Sequence, residues 1–295
     1  MNQRNDSVIN NFQYEITLSQ EDFDRFAALS GDDNPIHIDP EFARHSRFGR
    51  TVAHGMMLYS LVCRGLSEQF PEKVQSSVDM IFPNPTFAEE QLIVSLSAED
   101  SQLEDNLTQL EATIQRPDGS SGLKGQARLV GLNAGPSLQN LASKDFRSTS
   151  ESVQEYKGLH LGQQASATRV FSDRDLEEYL VLSGDRNRLF EDDDHARQNG
   201  FLRRIVPGAL LGSMISDLLG THLPGGGTNW LKQQFIFHQP VYLEEVVHAS
   251  VEIIRLRPGK QLVDLWNSIS TLQAGIAVSG RSLVLVKDLV TEQGN

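Results

Sequence analysis

Leu29-Ser30-Gly31-Asp32-Asp33-Asn34-Pro35-Ile36-His37-Ile38-Asp39 packs a carboxylate, a carboxamide and an imidazole into one short turn stiffened by proline. Asp, Asn, Gly and Pro are ordinary turn residues, so the Gly-Asp-x-Asn-Pro core taken alone is equally at home in an inert turn before a helix. Two further residues change that balance. His37 follows two residues after the proline, and Gly55 comes eighteen residues beyond it, in Thr51-Val52-Ala53-His54-Gly55-Met56-Met57-Leu58, where an apolar helix is expected to begin. An acid/base pair beside the N-terminus of a buried helix has the parts needed to move water on or off a carbon conjugated to a carbonyl.

The chain repeats this region. With Ser30 set against Ser183, Gly31 meets Gly184, Asp32 meets Asp185, Asn34 meets Asn187 and Asp39 meets Asp192 without a gap. The register continues through Ala43/Ala196, Arg44/Arg197, Arg50/Arg203, Gly55/Gly208 and Leu58/Leu211. Upstream, Ser19 and Ser172 are each followed three residues later by Asp22 and Asp175, the signature of a capped helix start. Downstream the register shifts by two where Gly225-Gly226-Gly227 lengthens the second copy, and Glu89-Glu90 then meets Glu244-Glu245. The second copy has lost its chemistry: Arg188 stands where the proline was and Phe190 where the histidine was. One working site and one retired site are expected.

Each copy reads as a capped helix, the Gly-Asp turn, a polar arginine-bearing stretch, an apolar helix, and a closing run of strands. The apolar helix is expected near Val52 to Glu68 and Val206 to Leu219. Alternation and β-branched residues mark strands at Ser77 to Phe82, Gln91 to Ala98, Thr108 to Gln115 and Gly125 to Val130. Their counterparts run Lys232 to His238, Val246 to Arg255, Gln261 to Thr271 and Gly275 to Lys287. One helix followed by antiparallel strands makes each copy α+β. The expected division is 1–132, a Ser/Gln/Glu-rich linker with a short helix over 133–158, and 159–295.

Composition narrows the function classes. The 295 residues are 39% hydrophobic and 22% charged, ordinary values for a globular chain. No apolar run approaches the roughly 18 residues a membrane span needs, and the polar start MNQRNDSVINNFQYE has no secretory core, so cytoplasmic residence is expected. A net charge of −13 argues against nucleic acid or anionic membrane as partners. Cys63, the single cysteine, falls in an apolar helical pattern and reads as a small core residue.

These residues resemble the MaoC-like, (R)-specific (type 2) enoyl-CoA hydratase family of the hot-dog fold. The resemblance rests on the Leu29–Asp39 stretch, on Ala43, on Thr51 to Leu58 and on the duplication itself. It implies a double hot-dog: two antiparallel sheets, each wrapping a central helix, joined as a pseudo-dimer within one chain. It also implies reversible hydration of a trans-2-enoyl thioester, carried by coenzyme A or an acyl carrier protein, to an (R)-3-hydroxyacyl thioester. No cofactor or metal is implied. The family's catalytic Asp and His map onto Asp32 and His37, its assisting Asn onto Asn34, and its oxyanion-binding amide onto Gly55. An acyl thioesterase and a non-catalytic acyl-thioester-binding protein are the alternatives. In some tandem relatives the intact motif lies in the C-terminal half, so the order here differs.

Around this core the expectations are of mixed kind. Arg44, Arg47 and Arg50 either meet the phosphates of the carrier arm or are surface arginines in structural pairs. His54 and Met56 are assigned to the substrate pocket, with His54 read as a packed or capping residue rather than a catalytic one. Asp39 is expected to cap or turn the chain. Asp192-Asp193-Asp194-His195 reads as a charged exposed segment and not as a metal box. Association of fused pairs into a homodimer is open.

Overall fold

The computed structural model describes residues 12–98, 103–104, 107–132 and 153–289. The first copy comprises β1 (Phe12–Thr17), α1 (Gln20–Ser30), α2 (Pro35–Ile38), α3 (Pro40–His45), α4 (Gly55–Gln69), β2 (Lys73–Ile81), β3 (Gln91–Ser97), β4 (Leu103–Glu104), β5 (Leu107–Gln115) and β6 (Ser121–Gly131). A hairpin of β7 (Glu155–Tyr156) and β8 (Leu159–His160) follows. The second copy comprises β9 (Gln164–Val170), α5 (Asp173–Ser183), α6 (Arg188–Glu191), α7 (Asp193–Gln198), α8 (Gly208–Asp217), β10 (Asn229–Phe237), β11 (Val246–Arg257), β12 (Leu262–Thr271) and β13 (Gly275–Leu285). Much of the expected linker lies outside the described residues. Its last part, however, enters the β7–β8 hairpin, whose turn residues Lys157 and Gly158 both have positive φ.

Local chemistry explains the matching starts. Ser19 Oγ accepts from the Asp22 amide while the Asp22 carboxylate accepts from the Ser19 amide, and Ser172 and Asp175 repeat the exchange. Both helices end on a left-handed glycine, Gly31 at φ 85° and Gly184 at φ 70°, which turns the chain sharply into the Gly-Asp motif.

The strands form one continuous antiparallel sheet in the order β1-β3-β5-β6-β2-β10-β13-β12-β11-β9, with β4 beside β5. The two half-sheets join where β2 pairs with β10, Ile81 opposite Lys232 and Ser77 opposite Ile236. Strands β1 and β9 were not among the expected elements. Their inward positions are only half-buried, and β9 uses Ala165 and Ala167 where a stronger signal would need large apolar residues. They are the two outer strands of the sheet.

Helix α4 is the axis of the first half. Met56 to Cys63, Gly65 and Leu66 are all buried, as expected of a helix enclosed on every side. Strands β3 and β5 turn Leu92, Val94, Leu96, Leu110 and Ile114 into this core. Full burial of such side chains is worth about 1.5–3 kcal/mol each. Helix α8 takes the same role in the second half but ends in a wide π turn, Leu218–His222. α4 and α8 lie against each other, and a Cβ added at Gly212 would come 2.7 Å from the Met56 sulfur. No helix among the described residues is long and apolar enough to cross a membrane.

Candidate active site

The Gly-Asp turn is held from several sides. Gly31 releases the chain, the Ser30 hydroxyl accepts from the Asp32 amide at 3.1 Å, and Asn34 caps α2 by accepting from the Ile36 amide at 3.2 Å. Pro35 occupies the first helical position, where its missing N–H costs nothing. Val52 clamps the turn reciprocally: its amide donates to the Ile36 carbonyl at 3.1 Å, and its carbonyl accepts from His37 Nδ1 at 2.7 Å. That last bond leaves the proton on Nδ1 and presents the Nε2 lone pair to Asp32, whose Oδ2 lies 4.0 Å away.

Asp32 is buried, 2% exposed. Its Oδ2 accepts from the Ser216 hydroxyl at 2.6 Å, while Oδ1 is enclosed without a partner. Burial works against ionisation, yet the neighbouring His37, with the Ser216 hydroxyl, outweighs it and holds the carboxyl below its ordinary range. A cleft of about 720 Å³ receives Asp32, Asn34, His37 and Gly55 along one side. Gly55 opens α4, so its amide has no partner within the helix. The Phe82 ring closes over it so tightly that an added Cβ would sit 2.9 Å from the ring.

The second copy completes this cleft. Asn34 Nδ2 donates to the Gly220 carbonyl at 3.1 Å, and Leu219, Trp230 and Leu231 form part of the wall. The π turn is what brings Gly220 here; a Cβ on it would meet Asp32 Oδ1 at 3.0 Å. Ser216 and Gly220 were not singled out from the sequence. Aligned without a gap they answer to Cys63 and Ser67, so the repeat did not flag them. Thr86 and Thr228 also line the cleft with buried hydroxyls that lack a partner.

The remaining candidates divide. His54 is fully buried behind His37, not at the cleft surface; its ring stacks on that of His37 at 3.7 Å and its Nε2 donates to the Asp32 carbonyl at 2.9 Å. Burial, with help from His37, pushes its pKa down to about 3, so it is a neutral spacer. Met56 is a core residue against α8 and does not reach the cleft. Arg47 lines the cleft and pairs with Asp288 at 3.4 Å. Arg44 points to solvent beside Glu41. Arg50 ties down the loop by donating to the Ala88 carbonyl at 2.7 Å, as Arg203 does to Leu243, which makes these two structural.

Asp39 caps α3, as expected. In the second copy, Asp193 and Asp194 pair with Arg204 and Arg197, but His195 is buried and not part of an exposed run. Cys63 is a buried core thiol. Asp32, His37 and His54 have donor atoms within 4.8 Å of one another. Within this cluster His37 Nδ1 is committed to the Val52 carbonyl and His54 Nε2 to the Asp32 carbonyl, which leaves one nitrogen of each ring.

Comparison with known proteins gives the family and the fold. The family model described as MaoC like domain matches residues 9–116. The (R)-specific enoyl-CoA hydratase of Aeromonas caviae is 37% identical over 128 residues, 43% of this chain and 96% of the relative. A mitochondrial 3-hydroxyacyl-[acyl-carrier-protein] dehydratase of Arabidopsis thaliana is 36% identical over 102 residues, 35% of this chain and 60% of its own. Among solved structures, a MaoC-like dehydratase superposes with a TM-score of 0.75 at 14% identity, covering 95% of this chain and 98% of that one. A Mycobacterium tuberculosis protein described as having a double hot-dog fold gives 0.72 at 12% identity, over 93% and 95%. The fold is therefore the double hot-dog. The chain belongs to the MaoC-like, (R)-specific enoyl-CoA hydratase family, a family of hydro-lyases.

Proposed function

We propose that the chain adds water to a trans-2-enoyl thioester to give an (R)-3-hydroxyacyl thioester, or runs the reverse dehydration, at the cleft of the first copy. In this reading residues 1–132 are the working hot-dog, 133–158 a connection, and 159–295 a hot-dog whose motif is retired but whose α8 completes the site. The acyl carrier is coenzyme A or an acyl carrier protein.

One observation carries the reading: a buried carboxylate and an imidazole with a free Nε2 face one cleft, Asp32 Oδ2 lying 4.0 Å from His37 Nε2. Hydrogen bonds of about 2.8 Å from one water to two acceptors span roughly 4 Å, so a single water can donate to both. Its lone pair is then aimed at C3 of a substrate in the cleft. Asp32 takes a proton from that water as its oxygen bonds to C3, and the C2–C3 π electrons move toward the thioester oxygen. The Gly55 amide stabilises the resulting enolate, a donation typically worth about 3–4 kcal/mol. The pair returns one proton to C2, and the enolate collapses to the product. Asn34, tied to Ile36 and Gly220, keeps the turn in place.

The test follows absorbance of the conjugated enoyl group of crotonyl-CoA together with free thiol. The expected result is loss of absorbance without thiol release, with kcat lowered at least ~10²-fold in Asp32→Asn and His37→Gln. Thiol release in step with absorbance would mean a thioesterase, and wild-type turnover in either variant would overturn the assignment.

A further inference from the structure

The turn of the second copy opens onto its own cavity, of about 130 Å³. Asp185 and Asn187 lie in its lining where Asp32 and Asn34 line the working cleft, and Phe190 fills the histidine position. Asp185 is 1% exposed; the Tyr179 hydroxyl donates to its Oδ2 at 3.2 Å, the Ser67 hydroxyl and the Asn187 amide also favour its ionised form, and no hydrogen bond of ordinary geometry reaches its enclosed Oδ1. Gln75, held by the Tyr59 hydroxyl at 2.5 Å, adds a second polar group from the first copy. Gly208 opens α8 in the lining, with the Phe237 ring 2.8 Å from the position of an added Cβ, as Phe82 covers Gly55. The retired site has therefore lost its imidazole but kept its acceptor, its helix start and its aromatic lid.

An enclosed acceptor without a donor is costly unless the cavity's occupant supplies one. Near neutrality that acceptor carries charge, since burial raises the Asp185 carboxyl only to about 6. An anion is thereby repelled, whereas a neutral hydroxyl is welcome. The volume is close to that of cavities that hold benzene, so the occupant is a body of about six or seven heavy atoms. The apolar wall provided by Leu189, Phe190 and Leu211 suits a short alkyl chain.

We propose that this second cavity binds, without turning it over, the acyl end of a 3-hydroxyacyl compound, its hydroxyl donating to Asp185 and its carbonyl facing the Gly208 amide. The choice of a 3-hydroxyacyl group rests on the function proposed above, of which it is the product. With Phe190 in place of a base, no proton can be relayed there.

The experiment is a titration of the full chain, methyl-labelled at Leu and Val, with (R)-3-hydroxybutyramide, followed by NMR. Saturable shifts are expected at Leu189, Val206 and Leu211, with butyramide, which lacks the hydroxyl, binding at least ~10-fold more weakly. Asp185→Leu should weaken the probe by a similar factor, whereas Asp185→Asn keeps an accepting oxygen and retains binding. Shifts confined to Leu58 and Leu219 of the working cleft, or equal binding of butyramide, would overturn the inference. Crotonyl-CoA turnover measured on the same sample separates the two claims. Turnover without shifts at the second cavity defeats this inference alone; shifts without turnover defeat the functional reading and leave only a hydroxyl-binding pocket.

Discussion

The hydrogen bond from Ser216 to Asp32 joins the two copies at the chemistry itself, and Ser216→Ala isolates it. The contact is 2.6 Å long, both groups are buried, and its acceptor is a carboxylate. Hydrogen bonds to charged groups contribute about 1.5–3 kcal/mol. Losing this donor should therefore raise the Asp32 pKa. Ser216 favours the ionised form, in the direction already given for Asp32. If the ionised carboxylate is the base, the acidic limb of the kcat/KM profile should move to higher pH. The rate on the plateau should fall by no more than about tenfold, since the base itself remains. Initial rates with crotonyl-CoA between pH 5 and 9 read both quantities, and Ser216→Thr, which keeps the hydroxyl, should restore the limb. A folded Ser216→Ala protein with an unmoved acidic limb would refute the argument that the second copy tunes the first copy's carboxylate.

Three further expectations follow from the same geometry. Gly220→Val puts branched carbon against Asp32 Oδ1 and Asn34, where a Cβ alone already comes to 3.0 and 3.5 Å, and should lower kcat by at least ~10-fold in steady-state assays. Asp185 has its folded-state pKa raised from 3.8 to about 6 by burial, so its contribution favours the fold at acid pH and is lost as pH rises through about 6. Asp185→Asn should accordingly stabilise the protein toward urea by up to about 3 kcal/mol at pH 8, with the gain shrinking toward pH 4; a pH-independent difference would contradict that ionisation. Arg47→Ala, at the cleft mouth, should raise KM for crotonyl-CoA about threefold to tenfold while leaving kinetics with the N-acetylcysteamine thioester unchanged, since that analogue lacks phosphates.

The first copy's site was legible because its groups lie on one short stretch whose local rules are strong. Ser30, Asn34 and Asp39 each satisfy a nearby backbone group and Pro35 fits the first helical position, so local spacing goes far to fix where Asp32 and His37 lie. The fold was legible through the repeat, which survives in caps and glycines even where chemistry is gone. What could not be read depends on long-range contact. Ser216 and Gly220 act across 184 and 186 residues of sequence, on Asp32 and Asn34, through a π turn that no local pattern announces. Three arginines of similar spacing have three different fates because one meets Glu41, one the Ala88 carbonyl and one the cleft. Strand β9 escaped because alanines and polar residues on a half-buried edge give weak alternation, whereas β1 carries a clear alternation, Phe12, Tyr14 and Ile16 against Gln13, Glu15 and Thr17, that was passed over.

The two long helices cross so that each begins at one pocket and finishes near the other: α4 runs from Gly55 to Cys63 and Leu66, α8 from Gly208 to Ser216. A single helix is thus answerable to two masters. The opening turn of α8 serves the second copy's own pocket, while its last turn, through Ser216, reaches the carboxylate of the other half. The second motif has changed at Arg188 and Phe190, yet the helix that follows it still reaches across to Asp32.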